Sequence, residues 1–231
     1  MRRIILLISL FILSAVSSGQ KNREGMVSAD VVSECDRLYY EIGLKGIVNH
    51  EAFSQAYNGY QAVGDKKKEI LTVVDFSKPS TEERFYVIDI KREKLLYVSH
   101  VSHGQNSGEN YATSFSNVSG SHKSSLGFYL TENTYQGRNG YSLILDGLEN
   151  GVNDRAKERA IVIHGAPYSN PEVAKGGRLG RSHGCPALPL AVSKSIIDVI
   201  KGGSLIYIYA ADGNYIAQSR ILTPSRPTAY L

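Results

Sequence analysis

Between Ile70 and Ala210 the chain passes through short apolar segments rich in β-branched and aromatic residues, set apart by glycine, serine and asparagine. Segments of that length and composition read as strands, and their succession restricts the chain to a mainly β fold with a few helices. Strands are predicted at Ile70–Asp75, Phe85–Ile90, Leu95–Val101, Gly127–Thr131, Tyr141–Asp146, Ala160–His164 and Ser204–Ala210. Lys91-Arg-Glu-Lys94 reads as a hairpin turn and Gly137-Arg-Asn-Gly140 as a second turn. One helix interrupts. Pro189 pre-sets its first turn, Val192, Ile196, Ile197 and Ile200 share a face, and Gly202-Gly203 ends it. Gly104 to Ser125 is a long loop, a kind of segment that is often functional in a compact domain.

The N-terminal part has a different texture. Arg2 and Arg3 precede the apolar run Ile4 to Leu13, and Ser14-Ala-Val-Ser-Ser-Gly19 offers small residues for cleavage, which reads as a secretory signal. The run is shorter than the roughly twenty residues a membrane span needs, so no stable membrane insertion is expected after cleavage. Residues 20–29 read as a linker. Val31, Val32, Cys35, Leu38, Tyr39 and Ile42 then fit one helical face, with Gly43 as a stop. Asn49 caps a second helix carrying Phe53, Ala56, Tyr57 and Tyr60. The net charge of +4 is too balanced to argue for a nucleic-acid partner.

The chemistry centres on Arg178-Leu-Gly-Arg-Ser-His-Gly-Cys-Pro-Ala-Leu-Pro189. A thiol needs help to ionise near neutral pH, and polar and glycine neighbours place Cys185 in a loop rather than a core. His164, at the end of a β-branched run, is the candidate base that takes the thiol proton and returns it to a leaving amine. His183 lies two residues before the cysteine and either flanks the sulfur or braces the loop. The backbone N–H groups of Gly184 and Cys185 are candidates for an oxyanion hole, whereas Pro186 has none to offer. Cys35 is the other cysteine. A bridge between the two would cap the proposed nucleophile, and the helical apolar position of Cys35 makes it a core thiol instead.

His164, seventeen intervening residues and then Ser182-His183-Gly184-Cys185 resemble the signature of the L,D-transpeptidases, the YkuD-like peptidoglycan enzymes. The usual pattern continues with an apolar residue and Arg or Asn. Pro186-Ala187 resembles a distinct branch, the murein L,D-transpeptidase catalytic-domain family, as do Asp75-Phe-Ser-Lys-Pro-Ser80, Ser124-Ser-Leu-Gly127, Asn153-Asp154 and Arg159-Ala-Ile-Val-Ile-His-Gly-Ala166. The resemblance implies a β-sandwich-like catalytic domain, a Cys185 thioester intermediate, and a backbone carbonyl, that of Gly165, orienting His164. It implies a peptidoglycan stem peptide as partner and a bacterial periplasm or cell envelope as location. Arg181 and Arg178 are candidate ligands for stem-peptide carboxylates. Ser182 and Tyr168 are further candidates around the cleft. His100, His103 and His122 raise a zinc alternative, but a three-residue spacing puts the first two on opposite faces of a strand, and neither metal nor cofactor is expected. The resulting organisation is a signal at 1–19, a linker and helical segment at 20–69, a catalytic domain at 70–215 and a tail at 216–231, expected to be monomeric.

Overall fold

The computed structural model describes residues 33–223, so the signal, the linker and the end of the tail lie outside the described residues. Helix α1 (Glu34–Glu41) starts at Ser33, whose hydroxyl accepts from the Asp36 N–H. Helix α2 (His50–Ala62) starts at Asn49, whose carboxamide oxygen accepts from the Glu51 and Ala52 N–H groups. The predicted apolar face of α2, Phe53, Ala56, Tyr57 and Tyr60, is buried. Cys35 is only half-buried, yet it packs against the same core, and both cysteines are free thiols, so they are not bridged.

The strands are β1 (Ile70–Asp75), β2 (Phe85–Asp89), β3 (Lys94–Ser99), β4 (Gly127–Gly137), β5 (Gly140–Gly147), β6 (Val162–Gly165), β7 (Ala187–Leu188) and β8 (Leu205–Tyr209). They form one eight-stranded sheet in the order β3-β2-β1-β8-β4-β5-β6-β7. The sandwich expected from the resemblance is thus one continuous sheet, and its two ends approach each other. Just beyond β3, Ser102 exchanges backbone hydrogen bonds with Ala187 of β7, at 2.8 and 3.3 Å. That contact nearly closes the sheet and leaves few free strand edges. Most strands match their predicted ranges within two residues. The β4–β5 hairpin is longer than expected, reaching Gly137 opposite Gly140, with an irregular register between Thr131 and Thr134. Beyond that shift its outer half is largely exposed, so it lacked the apolar signal of a core strand.

Helix α2 packs on β1 and β8, and the Tyr207 hydroxyl in β8 donates to Gln55 Oε1. Helix α3 (Pro171–Ala174) is one short turn. Helix α4 (Leu190–Ile200) begins after Pro189, packs on β5 and β6, and buries Ile196, Ile197 and Ile200 as predicted. Helix α5 (Gly213–Gln218) was not expected. It is capped by Asp212 and docks through a buried carboxylate: Glu149 accepts from the Tyr215 and Ser219 hydroxyls and the Phe128 N–H. A buried charge is tolerated when its lone pairs are satisfied in this way. The first residues of the expected tail therefore pack with the β domain.

Gly59 in α2 tests the packing of helix on sheet. A Cβ there would meet the Phe128 ring at 2.1 Å, and that ring is fully buried and stacked on Tyr207. Alanine gains about 1 kcal/mol of helix propensity, but overpacking a core typically costs about 1–3 kcal/mol. We predict that Gly59→Ala lowers the urea midpoint; an unchanged or raised midpoint would show that the helix rides loosely on the sheet.

Candidate active site

The site is built where β6 and β7 run parallel, with His164 paired to Ala187 and Gly165 to Leu188. Cys185 lies two residues before β7, and its sulfur is 3.7 Å from the Ala160 carbonyl oxygen, two residues before β6. His164 is buried, and its Nδ1 lies 3.0 Å from the Gly165 carbonyl oxygen. That contact fixes Nδ1 as the donor and leaves Nε2 as the acceptor.

The turn carrying Cys185 is held by Ser182. The Ser182 hydroxyl donates to the Cys185 carbonyl at 2.6 Å and accepts from the Gly184 N–H at 3.0 Å. Its backbone is anchored too: the Ser182 N–H donates to the His103 carbonyl and its carbonyl accepts from the Gln105 N–H. Ser182 is thus a buried turn-former rather than a residue turned toward a ligand. The Gly184 N–H, offered by the sequence as an oxyanion donor, is already committed to Ser182, whereas the Cys185 N–H has no partner among the described residues. Gly184 sits at φ +121°, and a Cβ there would stand 2.8 Å from the Lys123 carbonyl. Glycine is required both by that conformation and by the close approach.

The long loop closes over this turn. The Ser124 hydroxyl donates to the Gly184 carbonyl and accepts from the Gly104 N–H. On the other side, fully buried Arg84 donates to the Val101 carbonyl and to His103 Nδ1, which fixes the segment that pairs with Ala187 and Ser182. Ser80 accepts from the Leu179 N–H and so ties the approach to the turn to the segment after β1. The sequence resemblance touched Ser80, Ser124 and Arg159 only as blocks; their role in positioning depends on contacts between distant parts of the chain.

Burial governs the electrostatics. It pushes the Cys185 thiol up, against smaller opposing effects of the Val162 N–H facing the sulfur and of Arg159. The thiol donates to the Ala160 carbonyl at 3.7 Å, and Ala160 has a left-handed φ of 54°. His164 is lowered by burial. Burial therefore favours the neutral thiol and the neutral imidazole over their charged forms. Tyr168, beside the site, is pushed up to about 12 by burial, and the proximity of Cys185 adds to the effect.

The other expected residues fall as follows. His183 is exposed and its ring lies flat on that of His122, with centroids 4.1 Å apart, in the bracing arrangement rather than in a hydrogen bond to the sulfur. Arg178 and Arg181 converge on one carboxylate, Glu109, at 2.9 and 2.7 Å. Arg181 also donates to the Gln105 and Gly108 carbonyls. The three histidines of the zinc alternative have separate partners: His100 the Thr81 carbonyl, His103 Arg84, and His122 Gln105. Among the described residues no group of three or more His, Cys, Asp or Glu is arranged to hold a metal ion.

Residues 44–209 match the family model of the L,D-transpeptidase catalytic domain. The chain belongs to that family. No curated protein matches it. Among solved structures it is similar to the helical cell shape determining protein Pgp2 from Campylobacter jejuni, at 15% identity over 68% of this chain and 56% of that one, with a TM-score of 0.41. It is similar also to an L,D-transpeptidase from Mycobacterium smegmatis, at 15% identity over 62% and 59% with a TM-score of 0.38, and to L,D-transpeptidase 3 from Mycobacterium tuberculosis, at 12% over 62% and 61% with a TM-score of 0.39. The chain spans about three fifths of the length of these family structures. Among the described residues no helix is long and apolar enough to cross a membrane.

Two buried histidines set the response to acid. Burial and the adjacent Arg84 push His103 down to about 4, and burial lowers His164 from an ordinary 6.5. Between pH 6.5 and 4 the unfolded chain binds protons that the folded chain refuses, so stability falls as pH drops through that window. The slope contributed by one such group is at most about 1.4 kcal/mol per pH unit. Urea unfolding across this range should show it, and His164→Gln should flatten it; an equal slope in the variant would mean His164 titrates alike in both states.

Proposed function

We propose that the protein is an exported cysteine peptidyltransferase acting on peptidoglycan stem peptides, releasing D-alanine through a Cys185 acyl-enzyme. The observation that supports this reading is the parallel β6–β7 pairing, in which the strand bearing His164 pairs with the segment that follows Cys185, in a chain of this family. The Cys185 sulfur attacks the carbonyl carbon of the third stem residue, a diamino acid, while its proton passes to His164 Nε2. The carbonyl oxygen takes the negative charge and is met by the Cys185 N–H. The C–N bond to D-alanine breaks as His164 returns its proton to the departing amine, leaving a thioester. An amine from a neighbouring stem then attacks that thioester, giving up a proton to His164. The new amide forms a cross-link between third residues and the thiol regains its proton.

Neutral resting forms suit this sequence, since proton transfer accompanies attack instead of preceding it. Arg178 and Arg181 supply cationic groups near the turn for stem carboxylates, and Tyr168 walls the cleft. The Arg2-Arg3 and Ile4–Leu13 pattern supports export, so the place of action is the periplasm or envelope, with the protein acting as a monomer.

Purified protein incubated with tetrapeptide muropeptides is expected to release D-alanine and form dimers. Cys185→Ala should lose at least about a thousandfold in rate, the scale of removing a covalent nucleophile. Tripeptides without dimers would mean that water is the acceptor, making the enzyme a carboxypeptidase; cut dimers would mean an endopeptidase. A mass adduct on Cys185 after exposure to a carbapenem is the direct check. Turnover retained in Cys185→Ala would remove the thioester route, and binding of wall without turnover in either form would make the protein a non-catalytic wall-binding domain.

A further inference from the structure

Arg159 precedes β6 and is half-buried against the nucleophile turn. Its guanidinium makes four hydrogen bonds, all to neutral acceptors: the Ser116 and Lys123 carbonyls at 2.7 and 2.6 Å and the hydroxyls of Ser125 and Ser121. One of its nitrogens lies 3.3 Å from the place a Cβ on Gly184 would occupy, so the cation presses on the residue before Cys185. Every other half-buried or buried arginine near the turn differs in kind. Arg178 and Arg181 each hold the Glu109 carboxylate, and Arg84 faces away toward Val101 and His103. Arg159 has no carboxylate within ion-pair distance among the described residues.

A guanidinium withdrawn from water with only neutral partners is an incomplete arrangement, since partly buried charges are ordinarily paired. The site also lacks part of its expected anion stabilisation, because the Gly184 N–H is bonded to Ser182 and Pro186 has none. We propose that Arg159 is the resident counter-charge of the nucleophile turn, a positioning residue held against Gly184 whose missing anion is the negative charge that builds on the Cys185 sulfur as its proton leaves. This rests on Cys185 being the nucleophile, as argued above. The charged and titratable groups facing the sulfur or this guanidinium are Tyr168 after β6, Tyr129 in β4 and Arg155 one turn back, while His164 lies in β6 itself. Tyr129 does not supply the missing charge, because its hydroxyl is buried, neutral and donating to the Ser125 carbonyl. The direction of the Arg159 effect on the thiol is downward, as the geometry requires.

The test is the pH profile of Cys185 alkylation by iodoacetamide, mapped by peptide mass so that Cys35 is counted separately. Arg159→Gln is expected to raise the midpoint by about one pH unit, so that alkylation near pH 7 slows about tenfold with the thiolate fraction. Arg159→Lys keeps the charge and is expected to stay within about threefold of wild type, since charge rather than fork geometry carries the effect. A lost hydrogen-bond network alone would alter thermal stability or scale the rate at all pH values without moving the midpoint. An unmoved midpoint in Arg159→Gln overturns the proposal, and so does a lysine variant shifted as far as the glutamine one. If Arg159→Gln does not fold, the lysine variant decides: a retained midpoint supports the proposal and a one-unit rise overturns it. The alkylation needs no wall substrate. A shifted midpoint in a protein that forms no acyl adduct would remove the proposed function and keep this role of Arg159. Normal adducts with an unmoved midpoint would do the reverse.

Discussion

Two residues, Ala187 and Leu188, carry more of the architecture than their number suggests. As β7 they pair in parallel with β6, while Ala187 also exchanges backbone hydrogen bonds with Ser102 across the gap between the ends of the sheet. Strand β7 is thus the point where the sheet nearly closes and also the exit of the nucleophile turn. If the Ser102 contact opened, β7 would become an edge held by one neighbour, and the register relating Cys185 to His164 would lose one of its two restraints. Buried Arg84 guards against this by binding the Val101 carbonyl one residue before Ser102. A cation so deep in the fold is tolerated because its donors are satisfied, and each bond it makes draws a loop toward the sheet.

The sulfur is buried within the turn, and burial opposes ionisation. Burial raises the thiol and lowers the imidazole, so both ends of the pair favour the neutral form. A neutral thiol resists oxidation better than a thiolate, because reactivity follows thiolate character. The compensation lies in fixed dipoles and one cation around the sulfur, groups that cost little to reorganise when charge appears. Rigidity is supplied by small residues: Gly104, Ser124, Ser182 and Gly184 pack backbone against backbone where a larger side chain could not fit.

Much of this was readable from the chain itself, and the limits have a physical pattern. His164 ending a β-branched run and Cys185 in a glycine-bearing loop were legible because each is a local signal. The Gly165 carbonyl partner of His164, implied by resemblance, is present. Strand β7 was not legible, since two residues acquire strand character only from the neighbours they pair with. Helix α5 was missed for a similar reason: six residues opening with Gly213 have weak propensity, and they are stabilised by the distant Glu149. The commitment of the Gly184 N–H to Ser182 could not be read either, because a Ser-His-Gly-Cys sequence is compatible with several turns. The cluster joining Arg159 to Ser116, Ser121, Lys123 and Ser125 is invisible in sequence, where Arg159 stands 34 to 43 positions beyond the other four.

The bridge of Arg178 and Arg181 through Glu109 has a consequence for any anion that arrives there. The place is already taken by a carboxylate of the chain itself, which is largely solvent-exposed and held by surface pairs worth about 1 kcal/mol or less each. Arrival is then an exchange of one negative group for another, with nearly the same Coulomb energy before and after. Discrimination among incoming molecules falls to shape, reach and additional polar contacts, while Gly108 and Asn110 on either side of Glu109 keep their bonds to Arg181 and Ser80 and hold the backbone in place.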